Sequence, residues 1–257
     1  MSQAGRFVWF DLITPKADEA QAFYTELFGW SPNIMEMPDG TKYRGMRVGE
    51  DYAGGGIVPR ELPEGVPSHW IGYLTVDDVD AATKKAVAAG AQNVVEPMSM
   101  PEIGRFSVCI DPQGAVFAPY KAAGPQGEHD LSLQPGHFCW NELYSADVEQ
   151  SKSFYRDLTG WSFRSQDMGG GMVYHMAQTG ETSRAGLFNK PPEVPFPHWL
   201  PYVTVADVDG TADKAKTLGA NVVHGPMDIP GVGRFAVMMD PVGAMLGFIK
   251  FAEQAGG

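Results

Sequence analysis

The feature that most constrains this chain is an internal duplication. FVWFDLIT (7–14) faces FCWNELYS (138–145), and FYTELFGW (23–30) faces FYRDLTGW (154–161), both 131 positions apart. Further on, HWIGYLTVDDVD (69–80) faces HWLPYVTVADVD (198–209) and GRFSVCIDPQGA (104–115) faces GRFAVMMDPVGA (233–244), now 129 apart. Similarity over most of each half means one structural unit built twice. The 257 residues suit two such domains, each able to bury a core. The stretch AAGPQGEHDLSLQP is rich in Gly, Pro and polar residues and reads as a connection. It sets the domains at 1–121 and 136–252, with a linker over 122–135.

A weaker symmetry lies inside each half. FVWFDLI has the residues of a strand, and Ala20, Phe23, Tyr24 and Leu27 form one face of a helix that Gly29 can end. WIGYLTV is a second strand, followed by a helix over 79–89 that Asp78 can cap and Gly90 can close. GRFSVCIDPQGAVFAPYK then reads as a hairpin, because Asp-Pro-x-Gly suits a type I turn. Each half is therefore βαβββ twice over.

Composition excludes several classes of function. With 44% hydrophobic and 19% charged residues the chain is globular, and a formal charge of -12 opposes a nucleic-acid backbone. No segment has the length of a membrane span or the pattern of a signal peptide. Cys109 and Cys139 stand apart and read as buried thiols in a reducing compartment, so a cytoplasmic protein is expected.

Paired βαβββ units carrying FY..LFGW, TV.DVDA and DP.GA resemble the vicinal-oxygen-chelate superfamily of glyoxalases, bleomycin-resistance proteins and extradiol dioxygenases. Within it the chain is similar to a tandem-domain group of glyoxylase- and hydroxylase-type proteins. The resemblance implies an α+β fold of two tandem domains, each a pair of βαβββ units forming a curved mixed sheet. In metal-dependent members a His or Gln on the first strand, a His on the strand before the second helix and a Glu after the DP.G turn hold the ion. Those positions fall here on Trp9 and Trp140, Ile71 and Leu200, and Ala118 and Gly247. Indole and alkyl groups offer a metal no lone pair, so neither metal nor other cofactor is expected. A different metal site, pairing His69 or His198 with Asp11 or Glu142, stays open.

Residues two apart on a strand share a face, so the inferred ligand positions also set which side chains line the pocket. On the first strand these are Phe7, Trp9 and Asp11, matched by Phe138, Trp140 and Glu142. The second strand adds His69, Ile71 and Tyr73, matched by His198, Leu200 and Tyr202, with Tyr120 on the closing strand. This is an aromatic wall with one carboxylate and one imidazole per half, suited to a planar or partly apolar ligand. Asp11 and Glu142 serve either as general acid or base, or as carboxylates bonded to nearby backbone or a hydroxyl. His69 and His198 either move a proton and bond a ligand carbonyl, or pack on the neighbouring Trp.

Other features are discounted. Gly54–Gly56 and Gly169–Gly171 lack the Lys-Ser/Thr of a phosphate loop and read as turns. Arg105 and Arg234 read as solvated, and His129, His137, His175 and His224 have no metal spacing. The expected function is a metal-independent acid/base enzyme, of lyase or isomerase type, acting on a carbonyl-containing or aromatic metabolite. The alternatives are a sequestering protein of the bleomycin-resistance type or a tailoring enzyme for an aromatic natural product. If one pocket dominates, the second is favoured, where Glu reaches further and Gly247 leaves room. The expected partner is a small molecule, with neither nucleic acid nor membrane, in a monomer or homodimer.

Overall fold

A computed structural model describes residues 4–37, 39–124 and 131–252; His129 and part of the expected linker lie outside them. The first half runs β1 (Phe7–Thr14), α1 (Ala17–Phe28), β2 (Ser31–Glu36), β3 (Lys42–Val48), β4 (Asp51–Pro59), then β5 (His69–Thr75), α2 (Val79–Ala88), β6 (Gln92–Met100), β7 (Gly104–Ile110), β8 (Val116–Ala122). The second half repeats it as β9 (Phe138–Ser145), α3 (Val148–Thr159), β10 (Ser162–Gly169), β11 (Met172–Thr179), β12 (Thr182–Asn189), then β13 (His198–Thr204), α4 (Val208–Thr217), β14 (Asn221–Ile229), β15 (Gly233–Met239), β16 (Met245–Phe251). The α+β architecture of paired βαβββ units is therefore as expected.

Each half forms one eight-stranded mixed sheet, in the orders β2-β3-β4-β1-β5-β8-β7-β6 and β10-β11-β12-β9-β13-β16-β15-β14. The strand before each helix pairs in parallel with the last strand of its own unit, as β1 does with β4 and β5 with β8. A helical crossover returns the chain in the same direction, which permits that pairing. Local signals set the helices. Gly29 ends α1 in the left-handed region at φ 73°, and the Asp78 carboxylate accepts from Ala81 N–H at the start of α2. Ala20, Phe23, Tyr24 and Leu27 are all buried.

Strand pairing stays within each half, but close packing does not. The chain forms two compact units over the described residues of Met1–Trp9, Ile71–Asp130 and Trp140–Leu200, and of Phe10–Trp70, Leu131–Cys139 and Pro201–Gly257. Each unit thus takes one βαβββ unit from each half. The repeated motifs supply the ties. In the first compact unit Tyr155 donates its hydroxyl to Asp111 at 3.0 Å and accepts from Trp199 Nε1 at 2.8 Å, while Trp161 Nε1 donates to the Gly5 carbonyl at 2.9 Å. In the second, Tyr24 donates to Asp240 at 2.7 Å, and Trp30 Nε1 donates to the Gly136 carbonyl, also at 2.7 Å. The FY, GW and DP.G motifs therefore join the halves as well as shaping helices and turns.

Two sequence expectations change. Gly54–Gly56 lie inside β4 and not in a turn, because side chains cross that strand: a Cβ at Gly56 would collide with the Tyr43 hydroxyl. Gly169–Gly171 do form a turn, all three with positive φ. Arg105 and Arg234 are not simply solvated. Arg105 makes a two-bond fork to Asp80 at 2.7 and 2.8 Å, and Arg234 makes the same fork to Asp209. Among the described residues no helix is long and apolar enough to cross a membrane.

Candidate functional site

Strand alternation on β9 turns Trp140, Glu142 and Tyr144 to one face, all partly exposed, while Cys139, Asn141, Leu143 and Ser145 are buried on the other. Gly186 on β12 lies directly beside Glu142 in the parallel register. Across that glycine comes Tyr174 from β11. Its hydroxyl donates to Glu142 Oε1 at 2.7 Å and accepts from Trp140 Nε1 at 3.0 Å. A Cβ at 186 would run into that hydroxyl, so only glycine lets tyrosine and carboxylate meet. Burial first, and then the Glu142 charge, push the Tyr174 hydroxyl well above its ordinary value and keep it protonated as a donor.

The first half repeats the device. Asp11 on β1 is buried, Gly56 lies beside it on β4, and Tyr43 from β3 donates its hydroxyl to Asp11 Oδ1 at 2.8 Å. Both carboxylates therefore accept a hydrogen bond from a tyrosine hydroxyl. Neither tyrosine emerged from the sequence reading. The signal was present, since Tyr43 and Tyr174 repeat at the same spacing as the carboxylates.

The two histidines are built alike. His198 Nδ1 lies 3.0 Å from the Phe196 carbonyl and His69 Nδ1 lies 2.9 Å from the Pro67 carbonyl, which places the proton on Nδ1 and the lone pair on Nε2. Burial lowers the pKa of both and favours the neutral ring, against the opposing pull of the carbonyl. The His198 ring stacks on Tyr144 at 4.8 Å, and its Nε2 is buried with no hydrogen-bond partner among the described residues.

The other candidates divide between wall and interior. Trp9 is partly exposed on β1, and Tyr73 is partly exposed on β5, its ring edge-on to Phe106 and Tyr120. Tyr120 spends its hydroxyl on the Ile103 carbonyl at 2.9 Å. Phe7 and Phe138, expected on the pocket wall, are interior residues at 2% and 1% exposure. Phe7 packs on Trp199 at 4.8 Å and Phe138 stacks on Phe10 at 4.7 Å, because glycines at 72 and 55 leave space for the two rings. The room expected at Gly247 is taken by the ring of Tyr202, which lies across it.

The three positions that hold a metal in the resembled proteins do not fit one here. Trp140 directs its only nitrogen donor at Tyr174, Ile71 and Leu200 are buried alkyl groups, Ala118 is buried, and Gly247 sits beneath Tyr202. Nor does any group of three His, Cys, Asp or Glu side chains among the described residues come together in a metal-holding arrangement.

The comparisons with known proteins follow the same outline. The family model for the Glyoxalase/Bleomycin resistance protein/Dioxygenase superfamily matches twice, over residues 6–118 and 134–248. The chain is 36% identical over 249 residues to CFP32 of Mycobacterium tuberculosis, a protein provisionally named a glyoxylase, covering 96% of this chain and 95% of that one. It is 30% identical over 268 residues to the anthracycline biosynthesis protein DauV of a Streptomyces species, covering 97% and 94%. Among solved structures, the Mn(II)-bound glyoxalase of Novosphingobium aromaticivorans superposes with a TM-score of 0.66 at 18% identity, covering 97% of this chain and 83% of that one. The 2,3-dioxygenase LapB of Pseudomonas gives 0.65 at 15%, covering 96% and 93%. With both halves matched, the chain belongs to the Glyoxalase/Bleomycin resistance protein/Dioxygenase superfamily.

Proposed function

We propose that this protein is a metal-independent acid/base enzyme, of lyase or isomerase type, acting on a small carbonyl-containing or aromatic metabolite. The observation that carries the reading is the repeated carboxylate–tyrosine pair over an obligatory glycine, on strands whose metal-ligand positions hold Trp, Ile or Leu, and Ala or Gly. In this reading Glu142 in the second half, and its counterpart Asp11 in the first, take a proton from carbon next to a carbonyl and return it elsewhere. Tyr174 holds the Glu142 carboxylate in one orientation, and the neutral imidazole of His198 supplies a second proton acceptor. The glyoxylase name of one relative supports this class of chemistry.

The test is turnover by purified protein with and without a chelator, on a panel of 2-oxoaldehyde adducts and aromatic ketones, followed by mass spectrometry. Turnover unaffected by the chelator and removed by Glu142→Gln supports the reading; chelator-sensitive turnover refutes it.

A second reading is favoured by the cluster of Tyr144, Phe188 and His198 rings and by relatives named for anthracycline biosynthesis. In it the protein binds or tailors an aromatic natural product. Tight binding of such a compound, recovered unchanged, distinguishes sequestration from chemistry.

A further inference from the structure

Tyr174 and His175 are neighbours on β11 and point to opposite faces, the tyrosine partly exposed and bonded to Glu142, the histidine buried. His175 Nδ1 shares a hydrogen bond with the hydroxyl of Ser165, its register partner on β10, at 2.8 Å. Its register partner on β12 is the apolar Leu187. From α3, Glu149 and Lys152 act on the ring through their charges. Those two are themselves joined by bonds of 2.8 and 3.0 Å, and the Lys152 side chain is mostly covered.

The first half builds this tie from different groups. Arg44 holds the place of His175, Asp18 that of Glu149, Gln21 that of Lys152 and Ile34 that of Ser165, each 131 positions earlier. Arg44 donates to the Asp18 carboxylate at 2.6 Å and to the Gln21 side-chain carbonyl at 3.1 Å, fastening β3 to α1. A guanidinium keeps its charge at any ordinary pH, whereas an imidazole changes charge near neutrality. The second half carries its permanent cation on the helix, as Lys152, and has a titratable ring on the strand.

Protonation of that ring works against the packing. Burial first, and then the Lys152 charge, lower the pKa of His175, against the opposing pull of Glu149. The folded chain therefore binds this proton less tightly than the unfolded one. The stabilisation is present above the unfolded value near 6.5 and is lost as pH falls through the lower folded value. A charged ring donates from both nitrogens and competes with Lys152 for Glu149. The rearranged tie is one residue from Tyr174.

Resting on the acid/base reading of Glu142, we propose that His175 makes the second-half carboxylate–tyrosine pair acid-sensitive. Protonation of the ring loosens β11 from α3, Tyr174 shifts with its strand, and Glu142 loses its fixed orientation. The Asp11–Tyr43 pair of the first half, braced by Arg44, does not respond over the range in which imidazoles titrate.

The test is a pH titration of the full chain by NMR, from about pH 8 to about pH 5. It follows the His175 ring, assigned with His175→Gln, and the indole N–H of Trp140, assigned with Trp140→Phe. That N–H donates to Tyr174 and so reports its position. The expected result is a His175 midpoint below about 6.5 and a Trp140 signal that moves with the same midpoint. In His175→Gln, and in His175→Arg, which copies the first half, the Trp140 movement should vanish while thermal melts show both variants folded. Tyr43 ring signals, assigned with Tyr43→Phe, should stay fixed. Asp111 also acts on α3, through Tyr155, and its pKa is raised by burial. A Trp140 movement that persists in His175→Gln therefore belongs to Asp111 or Glu142 and overturns the proposal. So does a Trp140 signal that stands still while His175 titrates, or a His175 ring that does not titrate by about pH 5. A Tyr43 movement matching that of Trp140 overturns the difference between the halves. Trp140 tracking His175 in a protein with no Glu142-dependent turnover sinks the enzyme reading and leaves this one standing. Glu142-dependent turnover with a stationary Trp140 does the reverse.

Discussion

Tyr174 reaches Glu142 at 2.7 Å only because residue 186, beside that carboxylate on the neighbouring strand, has no side chain. The catalytic candidate, its orienting hydroxyl and the gap between them form one arrangement. Tyr174→Phe should leave the fold intact and lower kcat about ten-fold or more, since the carboxylate loses a charged hydrogen bond of roughly 1.5–3 kcal/mol. Gly186→Ala should cost about 1–3 kcal/mol by overpacking and displace Tyr174. Steady-state kinetics with thermal melts of both variants checks this; a Tyr174→Phe protein with unchanged kcat would refute the orienting role.

Stability should depend on pH through Asp240. Burial pushes its carboxyl up to about 6, against the opposing effect of hydrogen bonds from Tyr24 and the Ala244 and Val242 amides. Its pKa is thus raised on folding, so the folded chain binds this proton more tightly. The stabilisation is present below the unfolded value near 4 and lost as pH rises through about 6. Asp111, raised for the same reason, acts in the same direction. Its size for Asp240 is on the order of 2–3 kcal/mol. Denaturant titrations at pH 4.5 and 7.5 on wild type and Asp240→Asn measure it; an equal pH slope in the variant would sink the assignment.

Tyr155→Phe should destabilise by about 1–3 kcal/mol, because it removes a donor from buried Asp111 and an acceptor from Trp199 Nε1. Arg105→Ala should cost clearly less, since its fork to Asp80 is largely exposed and screened by solvent. Chemical denaturation of the two variants side by side gives the ranking, and the reverse order would contradict it.

Asn141 is fully buried and neither amide atom finds a partner among the described residues, at the position where the first half has Phe10. Asn141→Leu, of similar size and without the polar atoms, should raise stability by about 1 kcal/mol. A lower melting temperature would show that the amide has a stabilising role in the interior.

The repeat, the βαβββ pattern and the helix ends were legible because they depend on local rules: alternation on strands, spacing on helices, glycine at φ above zero. Strand parity also placed Trp140 and Glu142 on one face, and one further step along it reaches Tyr144. What was not legible depends on other strands. Tyr43 and Tyr174 become partners of the carboxylates through the registers of β3 with β4 and of β11 with β12. Phe7 and Phe138 share the parity of the pocket residues, yet neighbouring glycines let their rings drop into the interior. The Tyr24–Asp240 and Tyr155–Asp111 bonds cross from one half of the sequence to the other, and no local pattern reports that.

That exchange of βαβββ units between halves bears on how such a chain could diversify. A half-length ancestor with this topology would complete its compact units only by joining a second copy, and a symmetric pair must present two identical pockets. Fusion into one chain releases that symmetry. Each copy of the carboxylate strand can then mutate alone, as Asp11 with Ile13 and Glu142 with Tyr144 have done, so one pocket can change its ligand while the other preserves the scaffold.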